Sequence, residues 1–127
     1  MGTRTIGMAW SQLITMSTTD AFQPATGWMS AKNIAAARVQ FEIASIEGDG
    51  TTTVTAGYQP ANFADSPDAP VALGDAQTTK DVFYPSTYTD LKTALEDAQI
   101  VRFGFSIKSS TGTGFARAGG SVDLVER

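Results

Sequence analysis

The chain of 127 residues contains no cysteine and no histidine. Without cysteine there is no disulfide and no thiolate metal site. Without histidine, the commonest general base and metal ligand near neutral pH is missing. No Gly-x-Ser-x-Gly nucleophile turn, phosphate-binding glycine loop or dinucleotide fingerprint occurs. Charge is sparse as well, 17% of residues, with 9 Lys and Arg against 13 Asp and Glu for a net charge of −4. The basic residues are scattered singly, so no cationic stripe exists to neutralise a phosphate backbone, and nucleic acid is not an expected partner. No apolar run approaches the roughly 20 residues needed to span a bilayer. Residues 1–19 also lack the cationic and apolar blocks of a signal peptide. These absences lead to the expectation of a soluble, non-catalytic protein with no metal, no cofactor and no membrane segment.

What is present is strand-like. In Ala37–Ser45 the apolar Val39, Phe41 and Ile43 alternate with Arg38, Gln40 and Glu42, the period of a half-buried strand. Glu47-Gly48-Asp49-Gly50 follows as a turn, and residues 51–59 alternate again through Val54, Ala56 and Tyr58. The pattern predicts a β-hairpin. Pro60, Pro67 and Pro70 mark a long loop, with a short strand expected at 81–84. Leu91, Ala94, Leu95 and Ala98 recur at helical spacing behind Asp90, predicting a short helix over about 88–97. Residues 99–108 carry Val101, Phe103, Phe105 and Ile107 on one face, and 115–125 form a last strand. In that last strand Phe115 lies out of phase with Val122 and Leu124, which predicts a bulge at Gly119-Gly120. The sum is an all-β, two-layer antiparallel β-sandwich, jelly-roll or immunoglobulin-like, of seven or eight strands. Residues 1–32 are read as an N-terminal arm or first strands that dock on neighbours, and 33–127 as the sandwich domain.

The side chains with chemistry to offer divide into three groups. The neighbouring carboxylates Asp65/Asp68 and Glu96/Asp97 have the residue type for glycoside hydrolysis, but they fall in a proline-rich loop and at a helix end, as solvated surface acids do. Glu47, Asp49 and Asp75 sit in turns, yet no spacing matches a calcium loop. Trp10, Trp28, Tyr58, Tyr84 and Tyr88 are candidates for a sugar-stacking face, so a glycan is a possible ligand; packing in the core or between subunits is the competing reading. Met8, Trp10, Phe22, Trp28 and Met29 supply the aromatic and methionine anchors that dominate interfaces. Phe115 and Arg117, inside the glycine-rich 112–120 stretch, complete the interface candidates.

From about Ala35 to Val125 the order of parts resembles small sandwich proteins of tailed-bacteriophage virions. The likeness lies in Arg38-Val39-Gln40-Phe41-Glu42-Ile43, the Gly-Asp-Gly turn with its Thr-rich return, Tyr84-Pro85-Ser86-Thr87-Tyr88-Thr89-Asp90-Leu91, and Gln99–Phe105 with the glycine-rich end. The resemblance implies a structural role in the virion, foremost a capsid decoration protein binding a symmetric lattice. Its partners would be copies of itself and a major capsid or other virion protein. A carbohydrate-binding or receptor-binding fibre domain and a tail-tube or head–tail connector subunit are the alternatives.

Overall fold

The computed structural model describes Gly2–Arg127. Ten strands follow in order: β1 (Thr3–Thr15), β2 (Ala21–Pro24), β3 (Met29–Ser30), β4 (Ile34–Gly48), β5 (Thr52–Ala61), β6 (Val71–Ala72), β7 (Val82–Phe83), β8 (Thr89–Asp90), β9 (Ile100–Ser109) and β10 (Gly114–Glu126). They form two five-stranded antiparallel sheets. Sheet A runs β1-β10-β4-β7 with β8 also on β4, and sheet B runs β2-β9-β5-β6 with β3 also on β9. The nested antiparallel pairs β1·β10, β2·β9, β4·β7 and β5·β6 are those of a jelly roll. Of the two wirings that the strand pattern allows, the pairing selects this one.

The core is the space between the inner faces. Sheet B contributes Val54, Ala56 and Tyr58 from β5, and Val101, Phe103, Phe105 and Ile107 from β9. Sheet A contributes Met8 and Leu13 from β1, Val39, Phe41 and Ile43 from β4, and Ala116, Ala118, Val122 and Leu124 from β10. Two large rings thus stand on β9, while β10 brings two alanines as well as Val122 and Leu124 to the same core. Phe41 reaches across the layer, its ring centroid 5.5 Å from that of Phe105 and 5.0 Å from that of Phe83.

The expected hairpin at Glu47–Gly50 is not one. β4 lies in sheet A and β5 in sheet B, so the turn is a crossing between layers. Alternation alone does not separate the two cases, because apolar side chains of both strands face the same core whether the strands pair or oppose. β9 and β10 are likewise joined by a crossing at residues 110–113, and β1 and β2 by another at 16–20. These crossings stack on one another at one end. The Thr51 amide donates to the Ser110 hydroxyl (2.9 Å) and the Ser110 amide to the Thr51 carbonyl (2.9 Å), while the Ser109 amide donates to the Ser17 carbonyl (3.2 Å). Beneath them the buried hydroxyls of Thr15, Thr52 and Ser109 donate to the carbonyls of Ser17, Glu47 and Asp49, satisfying backbone groups that leave the sheets. Gly50, at φ +84°, supplies a left-handed residue in the middle crossing.

Two further expectations are corrected. Residues 91–98 form no helix: the Leu95 amide reaches the Leu91 carbonyl (2.9 Å), but the turn then tightens and ends at Ala98. The helical spacing nonetheless marks the right face, since Leu91, Leu95 and Ala98 are buried and plug the other end of the sandwich. One turn suffices for that plug, and a longer helix would carry Gln99 away from the Ala61 carbonyl to which its amide donates at 3.1 Å. The one element of helix among the described residues is the short 3-10 helix Ala31–Asn33. Nor does β10 change phase at Gly119-Gly120. Ala116, Ala118, Val122 and Leu124 all point inward and Phe115 points out; the irregularities lie in the flanking strands, between Met8 and Ser11 on β1 and at Ala44 and Ala35 on β4.

Residues 3–30 supply β1 to sheet A and β2 and β3 to sheet B. β2 lies so close to β9 that a methyl group on Gly104 would strike the Gln23 carbonyl oxygen and Pro24. Gly104→Ala is therefore expected to lower stability by about 1–3 kcal/mol, as overpacking against backbone does. Urea unfolding followed by circular dichroism should show a lower midpoint at unchanged slope.

Candidate functional site

The outer faces of the sheets carry the side chains that the core does not use. Three arginines there lie against aromatic rings. The Arg102 guanidinium sits 4.3 Å from the centroid of Trp28, Arg38 sits 4.4 Å from Tyr88, and Arg117 sits 5.6 Å from Trp10. A guanidinium over a ring face is attracted by the ring quadrupole and shields that face from other ligands. Arg102 is fixed further by donating twice to the Gln59 side-chain oxygen (2.9 and 2.7 Å), whose amide donates to the Asp68 carbonyl (3.0 Å). Arg38 donates to Asp123 (3.0 Å) and to the Ser86 carbonyl (3.0 Å).

The interface candidates read from the sequence consequently separate. Met8 is buried in the core, and Met29 packs against it from β3. Trp28 is half-buried under Arg102, and Phe22 is half-buried on β2 against Gly104. These four take part in the domain's own packing. Trp10 remains 50% exposed on the outer face of sheet A. Arg117 is exposed beside it, and Phe115 is half-buried on the same face. Sequence reading missed Ile14 and Met16, which are 64% and 81% exposed. Their apolar character is visible in the chain, but the β1 irregularity that sets which residues face outward is not. Ile14 lies directly opposite Phe115, so the two form a continuous apolar strip with Met16 beyond the end of β1.

Of the five aromatics considered for sugar stacking, Tyr58 is buried in the core, where burial pushes its phenol pKa up. Trp28 and Tyr88 are covered by arginines. Trp10 and Tyr84, the latter 72% exposed, stay open, and they line the same groove of about 260 Å³ on sheet A. Gly119 and Gly120 form its floor. The indole of Trp10 lies against Gly119 so closely that a methyl group there would strike the ring. Half-buried Gln40, Glu42 and Ser121 add an amide, a carboxylate and a hydroxyl to the lining.

The carboxylates singled out in the sequence do not gather. Asp49, Asp65, Asp68 and Asp75 are exposed, and no group of three or more acidic side chains among the described residues is placed to hold a metal ion. No family model, curated protein or solved structure matches the chain.

Asp123 is the acid with a defined electrostatic setting. The Thr5 hydroxyl, donating at 2.7 Å, holds its carboxyl below the usual carboxylate range; Arg38 adds to this and partial burial opposes it. The folded pKa is thus below the unfolded one, so the stabilisation is complete above the unfolded value of about 3.9 and fades as pH falls through the folded value. Asp123→Asn should be less stable than the parent near neutrality by up to about 1 kcal/mol, with the gap closing at acid pH. Thermal melts from pH 7 down to pH 2 check this.

Proposed function

We propose that this protein is a non-catalytic structural component of a virion, of the capsid-decoration kind, which works by assembling with copies of itself on a symmetric lattice. The observation that carries the reading is the apolar group made by Ile14 of β1, Phe115 opposite it on β10 and Met16 just past the end of β1. This strand is the free edge of sheet A, with β10 as its one neighbour. Long edge strands are ordinarily blunted by charge, proline or a bulge. β1 has an irregularity at its middle, where the Ala9 amide donates to the Ala25 carbonyl (2.9 Å), but Ser11–Thr15 contains neither a charge nor a proline. A second copy is the occupant that suits it, the two β1 strands meeting edge to edge with their apolar strips continuous.

Further support comes from the resemblance of residues 35–125 to phage virion sandwiches, and from the jelly-roll wiring, which viral capsid domains share with lectins. That second argument is one of analogy, since a fold does not fix a function. Weak contacts of this size become strong binding when repeated over a lattice.

Sedimentation of the purified chain should show a discrete oligomer at micromolar concentration, and the chain should co-sediment with capsid shells of the parent virus. Ile14→Glu combined with Met16→Glu should leave a folded monomer that no longer binds, because both side chains are exposed in the single chain. A parent protein that stays monomeric and ignores capsid shells would overturn the proposal.

A further inference from the structure

We infer that the groove between Trp10 and Tyr84 is a saccharide site that takes one or two pyranose units of a neutral glycan. The inference is independent of the assembly strip, which lies toward the far end of β1.

The packing itself selects the residues. Trp28 and Tyr88 lie under guanidinium groups at 4.3 and 4.4 Å and Tyr58 is in the core; Arg117 stands farther from Trp10, at 5.6 Å, and Trp10 and Tyr84 keep 50% and 72% of their surface open and border one groove. A pyranose ring presents C–H groups on its faces and hydroxyls around its rim. Such a ligand needs flat apolar walls together with polar groups at the side, which is what amphipathic aromatic rings and a few placed polar side chains provide. Trp10 and Tyr84 supply the walls, and Gln40, Glu42 and Ser121 supply acceptors and donors.

The floor is as telling as the walls. Trp10 lies so close against Gly119 that a methyl group there would strike the ring, and a methyl group on Gly120 would strike the Gln40 carbonyl and Phe41 of β4. The indole is therefore held in place before any ligand arrives, which reduces the ordering cost of binding. At about 260 Å³ the groove is smaller than the roughly 300–1,000 Å³ typical of drug-sized ligands. That size suits one or two sugar rings of a longer chain running across the sheet.

Charge narrows the class. Glu42 is the one charged side chain that lines the groove, while Arg117 lies 5.6 Å from the centroid of the Trp10 ring. An anionic sugar would meet a like charge, while a neutral glycan offers hydroxyls that donate to the carboxylate.

The test uses the full chain and a panel of neutral oligosaccharides, malto-, cello- and galacto-oligosaccharides of three to six units, with sialyllactose as the anionic comparison. Binding is followed by amide chemical shifts in NMR titration and by tryptophan emission in Trp28→Phe, which leaves Trp10 as the sole reporter. At least one neutral member should shift the amides of Gln40, Glu42 and Gly119–Ser121 and change Trp10 emission, with sialyllactose weaker. Trp10→Ala and Tyr84→Ala, each confirmed folded by circular dichroism, should weaken binding about tenfold, as expected on losing one stacking wall. Trp28→Phe should bind as the parent does. Silence across the panel at millimolar concentration overturns the inference, as does binding that survives both substitutions or shifts amides elsewhere. The Ile14→Glu/Met16→Glu protein should retain sugar binding, so failure of the assembly reading is distinguishable from failure of this one.

Discussion

The position of β10 between β1 and β4 is the constraint on which the rest of the molecule depends. The last strand of the chain is hydrogen-bonded to the first along one side and to the long β4 along the other. Sheet A is consequently incomplete until residues more than a hundred positions apart in sequence have met. Its inner face, once formed, presents Ala116 and Ala118 toward the layer where Phe103 and Phe105 project from β9. The entropy of closing such long loops is repaid only by the collective burial of that layer. A fold dominated by distant strand pairs is intrinsically slow to form for the same reason.

The layer crossings are the corollary of that arrangement. A chain that winds between two sheets must leave its hydrogen-bonding ladder each time it crosses, and the freed carbonyls need partners. Thr15, Thr52 and Ser109 meet this need with buried hydroxyls at one end. At the other end, Leu91 and Leu95 close the core, and Arg127 ties the C-terminus down by donating to the Ile34 (3.1 Å) and Lys92 (3.0 Å) carbonyls. With both ends closed, the outer faces of the two sheets and their edge strands remain at the surface.

On the outer faces of the two sheets, arginine placement separates covered aromatic rings from open ones. Arg38 and Arg102 stack on Tyr88 and Trp28 at close range and are held by further hydrogen bonds, so these rings serve the domain itself. Arg117 is farther from Trp10 and leaves half of the indole open. A protein with few charges thus uses several of them to cover aromatic surface. The exposed large apolar side chains include those of the β1 strip and the Trp10–Tyr84 groove, and, away from both, Phe63 and Val71.

Much of the fold was legible in the chain because a period of two is a local property. Val39, Phe41 and Ile43, Val54, Ala56 and Tyr58, and Val101 through Ile107 are inward in the structure as their alternation required. The plug residues Leu91, Leu95 and Ala98 were also marked by spacing, although the helix assigned to them is a single turn. The glycine turns were located correctly and their meaning was mistaken, because a hairpin and a layer crossing bury the same alternate side chains. The aromatic residues were identified as candidates, but which of them are free depends on arginines distant in sequence. The sequence by itself determined an all-β sandwich, its core-facing residues and the absence of histidine and cysteine chemistry. Only the tertiary structure decided which strands pair, how β1 turns Trp10 and Ile14 outward, and which rings stay open, since each of these depends on contacts between segments that no local pattern links.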